Sequence, residues 1–216
     1  MNCLIVAATP IEISPLLKEL KQGRFASKKL QIDVLITGIG LTATTYSLSK
    51  QLQIRKPDLA IQAGVAGCFD TRLKLGTVVI IKKEAIADQS VIELGQLKTM
   101  FDLKLVPENQ FPFKKGWITN TNPLLKKIKL KKATGISVNE ITTDKKKVSF
   151  YKSHFAPLME SMEGAALHYV CSMESIPYLQ LRSSSNYIAE RKKTNWNLKD
   201  SVINLNNELF TILEML

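Results

Sequence analysis

Six short apolar runs alternate with stretches of helical period along this chain, and that alternation limits the fold more than any other feature. The runs are "CLIVAA" (3–8), "IDVLIT" (32–37), "LAIQAG" (59–64), "TVVIIK" (77–82), "ATGISV" (133–138) and "PYLQLRSS" (177–184). Apolar residues recur at helical spacing over 11–21, 41–53, 123–131, 144–152, 162–175 and 197–216. In the last of these, Leu198, Val202, Leu205, Leu209, Ile212 and Leu216 mark one face. Strands that are apolar almost throughout must be buried on both sides, so the pattern predicts an α/β fold with helices covering both faces of a central sheet. Residues 84–117 are the least regular and read as a surface excursion bordering a site or a subunit contact.

A length of 216 residues, 45% of them hydrophobic, supports one domain over 1–216 with a sizeable core. The net charge of +11 comes mostly from lysines, as in "KKIKLKK" (126–132) and "DKKK" (144–147). Neither run is interleaved with aromatics that could stack on bases, so solvated surface explains them better than nucleic acid. The opening "MNCLIVAATPIEI" lacks a basic leader and a long apolar core; it reads as a first strand, with no membrane association expected. Cys3, Cys68 and Cys171 form no motif, as expected of free thiols in a reducing cytoplasm. His154, His168 and no CxxC give a metal site little to use, and His168 reads as an ordinary, partly buried helix residue.

Four segments place glycines or polar residues just after strands, where open α/β sheets gather their sites. They are "AATPIEIS", with Glu12 in the first turn of a helix; "TGIG" (37–40); "QAGVAGCF" (62–69); and "MESMEGAALHYVC" (159–171), with Glu163 at a helix start. None matches a dinucleotide or triphosphate fingerprint. For Glu12 and Glu163 taken singly, a carboxylate complementing a helix dipole is a sufficient account.

Taken in order with "RSSSNYIAERKKTNW" (182–196), these segments resemble the nucleoside phosphorylase/hydrolase superfamily over nearly the whole chain. The similarity is to the branch of 5'-methylthioadenosine/S-adenosylhomocysteine nucleosidases and futalosine hydrolases. It implies a three-layer α/β/α domain with a central twisted mixed sheet, a homo-oligomer of two or more chains, a purine nucleoside substrate, and no cofactor or metal. It also implies roles: Glu12 activates water, Arg182 lies near that water and orients Glu12, and Asn186 faces the leaving base. Glu163 grips ribose hydroxyls with Met162 beneath the sugar. Ala66 and Gly67 line the pocket with backbone, Ile39 the sugar side, Ile141 the purine face, and Ser185 stands beside Asn186. Arg191, with Trp196 as an apolar wall, would meet the far end of the substrate.

Two departures sort the branch. Methylthioadenosine nucleosidases usually carry serine where this chain has Val65, and aspartate where it has Asn186. Futalosine hydrolases commonly carry the "SN" form followed by an arginine and a tryptophan, as Arg191 and Trp196 do here. Futalosine is therefore the first expectation and methylthioadenosine the alternative. The loops around Glu12 hold no arginine or lysine, which disfavours a phosphate nucleophile and hence a phosphorylase. The joint presence of Glu12, Glu163 and Arg182 disfavours a non-catalytic nucleoside-binding protein.

Overall fold

In the computed structural model of the chain, which describes residues 1–25 and 29–216, the apolar runs become neighbouring strands. The first half of the chain forms β1 (Asn2–Ala7), α1 (Ser14–Lys21), β2 (Gln31–Ile36), α2 (Leu41–Ile54), β3 (Leu59–Cys68) and β4 (Val78–Ile86). Four short strands follow: β5 (Ser90–Glu93), β6 (Gln96–Thr99), β7 (Phe113–Lys114) and β8 (Trp117–Thr119). The remainder is α3 (Leu124–Lys127), β9 (Lys132–Ser137), α4 (Lys145–Phe155), β10 (Met159–Ser161), α5 (Gly164–Met173), β11 (Tyr178–Tyr187) and α6 (Leu198–Met215).

The main sheet is mixed. β1 lies parallel between β2 and β3, and β11 runs parallel to β3 and antiparallel to β4. β4 continues parallel to β9, β9 parallel to β10, and β10 closes back antiparallel onto β3. Strands β3, β11, β4, β9 and β10 therefore form a ring, and the C-terminal half of β3 lies between β10 and β11. Successive residues of β1 serve opposite faces, as the pleat requires. Cys3, Ile5 and Ala7 pack with Leu16 of α1 and Leu205 and Leu209 of α6. Leu4 and Val6 pack with Leu48 and Leu52 of α2 and Leu167 and Val170 of α5. Two helical layers thus sandwich the sheet.

Several element limits differ from the sequence expectation. The helix over 123–131 shrinks to α3, because the lysine-rich run offers only Leu125 and Ile128 as buried residues, and the chain turns extended at Ile128. The expected excursion from residue 84 starts inside β4 and holds the β5–β6 hairpin and the β7–β8 pair; strands of two to four residues are too short to show a period. His168 is fully buried, not partly. Its Nδ1 lies 3.3 Å from the Ile118 carbonyl, its ring meets Tyr178 edge-on, and burial pushes its pKa down to about 3. It is a neutral core residue.

Candidate active site

Glu12 lies in the turn between β1 and α1, one turn earlier than expected, because α1 begins only at Ser14. Its carboxylate does not complement the α1 dipole. Oε2 accepts from the Thr9 amide at 3.0 Å and the Thr9 hydroxyl at 3.2 Å, and Oε1 accepts from the Val65 amide at 3.0 Å. The last bond ties the turn after β1 to β3, and it uses backbone, so it does not depend on the Val65 side chain. Burial raises the pKa of Glu12; nearby Arg182 and the Val65 amide oppose the rise, while Glu163 adds to it. A buried carboxylate held by two amides and poised above its ordinary range suits a general base.

Arg182, in β11, is 1% exposed. Its Nη2 donates to Gln62 Oε1 at 2.8 Å and reaches Glu163 Oε2 at 3.4 Å. Its field acts on Glu12, but the hydrogen bonds that hold Glu12 come from Thr9 and Val65, not from Arg182 as expected. The guanidinium and Glu12 meet over Gly64: a Cβ there would lie 2.2 Å from Arg182 Nη1 and 2.8 Å from Glu12 Oε1. Gly64→Ala should therefore displace both groups and cut turnover by ~10²-fold or more, given how steeply rate depends on placement. A folded variant, by circular dichroism, with near wild-type turnover would show that this contact is slack.

Glu163 precedes α5, yet its side chain caps nothing there. Oε1 accepts from the Gly40 amide, at the start of α2, at 3.1 Å, and Oε2 faces Arg182. The "TGIG" turn is thus joined to the carboxylate. Ile39 beside it is 63% exposed and Ile141 49%, so both edge the site without closing it.

Sequence reasoning missed the layer beneath. Glu84, in β4, is fully buried; its Oε1 accepts from Ser137 Oγ at 3.1 Å, and Ser137 Oγ accepts from the Ala165 amide at 2.8 Å. Burial raises its pKa to about 7, against the field of Arg182. Gly164 lets Gln180 and Glu84 approach the start of α5: a Cβ there would lie 2.2 Å from Gln180 Nε2 and 2.6 Å from Glu84 Oε2. Gln62 interrupts an apolar run, which was the available signal there; Glu84 follows Lys82 and Lys83 and gave none. Acidic residues of this kind are rarely left fully buried without a partner.

A cavity beside this network is lined by Gly67, Ile141, Glu160, Met162, Asn186 and Arg191, with Ile188 and Trp196 also at its wall. Asn186 Oδ1 accepts from Ser185 Oγ at 2.9 Å, and its Nδ2 lies 3.5 Å from where a Cβ on Gly67 would be. The amide nitrogen donates one hydrogen to the Tyr187 carbonyl at 3.1 Å and has a second beside Gly67, over which the Ile188 side chain leans. Ser185 sits behind Asn186, near the Ala66 carbonyl at 3.3 Å, and holds the amide instead of lining the cavity. Ala66 is likewise buried behind the wall. The Arg191 guanidinium lies 5.6 Å from the Trp196 ring centre, a cation–π contact at the mouth. Among the described residues no group of three or more His, Cys, Asp or Glu side chains could hold a metal ion, and no helix is long and apolar enough to cross a membrane.

The chain is similar to several known proteins. It is 28% identical to a 5'-methylthioadenosine/S-adenosylhomocysteine nucleosidase of Buchnera aphidicola, over 74% of this chain and 68% of that one. It is 26% identical to a futalosine hydrolase of Thermus thermophilus over 78% and 75%, and 27% identical to an aminodeoxyfutalosine nucleosidase of Campylobacter jejuni over 94% and 93%. The fold matches the solved structure of a Helicobacter pylori futalosine hydrolase with a TM-score of 0.81, covering 100% of this chain and 98% of that one at 19% identity. The phosphorylase superfamily model matches residues 4–214, nearly the whole chain, and with this mixed sheet and helical layers the protein belongs to the phosphorylase superfamily.

Proposed function

We propose that the chain is a single-domain purine nucleosidase that hydrolyses the N-ribosidic bond of futalosine, giving hypoxanthine and dehypoxanthine futalosine on a route to menaquinone. Water is the nucleophile in this reading. The C1'–N9 electron pair leaves with the base, whose negative charge is shared with O6 until it takes a proton from solvent. The water oxygen bonds to C1', Glu12 takes the water's proton, and the carboxylates of Glu12 and Glu163 face the positive charge that develops on the ribosyl ring. In this reading Glu163, held by Gly40 and Arg182, accepts from ribose hydroxyls. Among the described residues the buried cation is Arg182, already engaged by Gln62 and Glu163, which leaves little to hold phosphate.

The orientation of Asn186 carries the choice of base. Ser185 occupies its oxygen and the Tyr187 carbonyl takes one of the two Nδ2 hydrogens, which leaves the other, beside Gly67, for the base. A donor there suits the O6 and N7 acceptors of a 6-oxopurine, and an unpaired buried acceptor in its place would cost ~1–3 kcal/mol. Arg191 and Trp196 give the carboxylate-bearing tail of futalosine a cation and an apolar wall. Homo-oligomeric assembly in the cytoplasm belongs to the same reading; exposed Ile39, Tyr46 and Ile54 on and beside α2 offer apolar surface for it. The similarity to the Buchnera protein favours methylthioadenosine as the second reading.

One incubation with futalosine, methylthioadenosine and inosine, with and without phosphate, separates these readings. Release of free hypoxanthine from futalosine, indifferent to phosphate, is the expected result; adenine released from methylthioadenosine alone would replace it with the second reading. Asn186→Asp should lower the ratio of kcat/KM for the 6-oxo nucleoside to that for its 6-amino analogue on the same ribosyl tail, by about tenfold for one mismatched hydrogen bond. An unchanged ratio would show that Asn186 does not read the base.

A further inference from the structure

Glu160 also lines the base cavity. It is 7% exposed, and its Oε2 is buried with no hydrogen-bond partner. An unpaired buried carboxylate oxygen is costly, and on a residue that lines a cavity it marks a group whose pairing a ligand can complete. Its position across the sheet supports this. Gly67 of β3 is paired with Glu160 of β10 on one side and with Asn186 of β11 on the other. Residues in direct register point their side chains to the same face, so Glu160 and Asn186 flank Gly67 over one floor, with backbones about 10 Å apart. That gap suits one planar bicyclic base, once the Ile188 side chain that leans over Gly67 swings aside.

We infer that Glu160 is a second specificity-determining residue, reading the pyrimidine edge of the base opposite the edge that Asn186 reads. This rests on the purine-nucleosidase reading for its ligand class. A 6-oxopurine carries N1–H, a donor; a 6-aminopurine carries a bare N1, an acceptor. A neutral carboxyl group can donate or accept and so tolerates either, whereas an ionised one accepts only, keeping the 6-oxo base and repelling the 6-amino base. The ionisation of Glu160 therefore sets how strictly the pocket demands a 6-oxo base.

Burial, with a smaller contribution from Asp88 and against the opposing field of Lys147 of α4, raises the pKa of Glu160 to about 7. Tyr151 of α4 is also within its field, Lys147 is paired with Glu140 at 2.8 Å, and Glu190 and Arg191 line the same cavity. Glu84, which also titrates at about 7, belongs to the network around Ser137 and Arg182 and is not at the cavity wall. A variant of Glu160 alone separates the two.

The test is calorimetric binding of free hypoxanthine and free adenine from about pH 6 to about pH 8, a range in which Glu160 passes from mostly neutral to mostly ionised. In the wild type the preference for hypoxanthine should rise about tenfold across this range, mainly through loss of adenine affinity. In Glu160→Gln, a permanently neutral group with donor and acceptor, the preference should be flat and adenine retained at the alkaline end. A flat wild-type preference, a variant that keeps the wild-type slope, or no binding of either base would each overturn the inference. Binding of free bases does not depend on bond cleavage, so failure of the nucleosidase reading shows separately, as absence of turnover.

Discussion

Glu12→Gln will retain nucleoside affinity and lose ~10²–10⁴-fold in turnover, the usual worth of a positioned base. The amide has nearly the carboxylate's shape, so one end can still accept the Val65 or Thr9 amide. What it lacks is the basic oxygen that takes a proton from water. The wild type should show the same group in its pH profile. Burial raises the pKa of Glu12, so the acid limb of kcat/KM should lie above the ordinary carboxylate range, with activity rising as Glu12 ionises. Single-turnover rates of wild type and variant on futalosine, with dissociation constants from equilibrium binding, make the measurement. More than half of the wild-type rate in the variant would reduce Glu12 to a structural link between the β1–α1 turn and β3.

Arg182→Met will destabilise the fold by about 3–5 kcal/mol near neutral pH, because it leaves buried carboxylates without their cation. Methionine keeps most of the volume, so the loss reports charge more than cavity. Glu163 loses a direct partner at 3.4 Å, and Glu12 and Glu84 lose the field that holds their pKa values down. The sign with pH follows. A buried carboxyl group whose folded pKa lies above its unfolded one penalises the fold increasingly as pH rises from the unfolded value through the folded value. Glu84 already spans that interval, from 4.5 to about 7, and without Arg182 the interval of both Glu12 and Glu84 extends upward. The gap between wild type and variant in urea midpoint should thus be small near pH ~5 and wide above pH ~7. A gap below ~1 kcal/mol that does not vary with pH would mean that Arg182 behaves like a solvent-screened ion pair.

The local parts of this protein were legible in its residues. Uninterrupted apolar runs such as "CLIVAA" and "TVVIIK" can be satisfied only between two covered faces, and the helical stripe from Leu198 onward has one buried side. Glu12, Glu163 and Arg182 stand beside or within strands with small residues around them, and the fold does bring them together around Gly64 and Gly40. Even so, their exact partners were not readable. The bond from Val65 to Glu12 joins residues 53 apart, and that from Arg182 to Gln62 joins residues 120 apart.

What only the tertiary structure decided were the side-chain directions that irregular pairing controls. Alternation along a strand assigns each residue a face, and a bulge resets that assignment for everything beyond it. One register shift between Ile81 and Lys83 in β4 precedes Glu84, which then lies buried under the site although two lysines before it face outward or half outward. Another between Ser184 and Asn186 in β11 puts Ser185 behind the wall and Asn186 over Gly67. Glu160 belongs to a three-residue strand, too short to show a period, and its place at the cavity follows from β10 closing the ring onto β3. Composition and periodicity fix which residues must leave water, because that is a property of each side chain. Which carboxylates and amides come together at the cavity depends on strand register, and register is set by contacts between residues far apart in the chain.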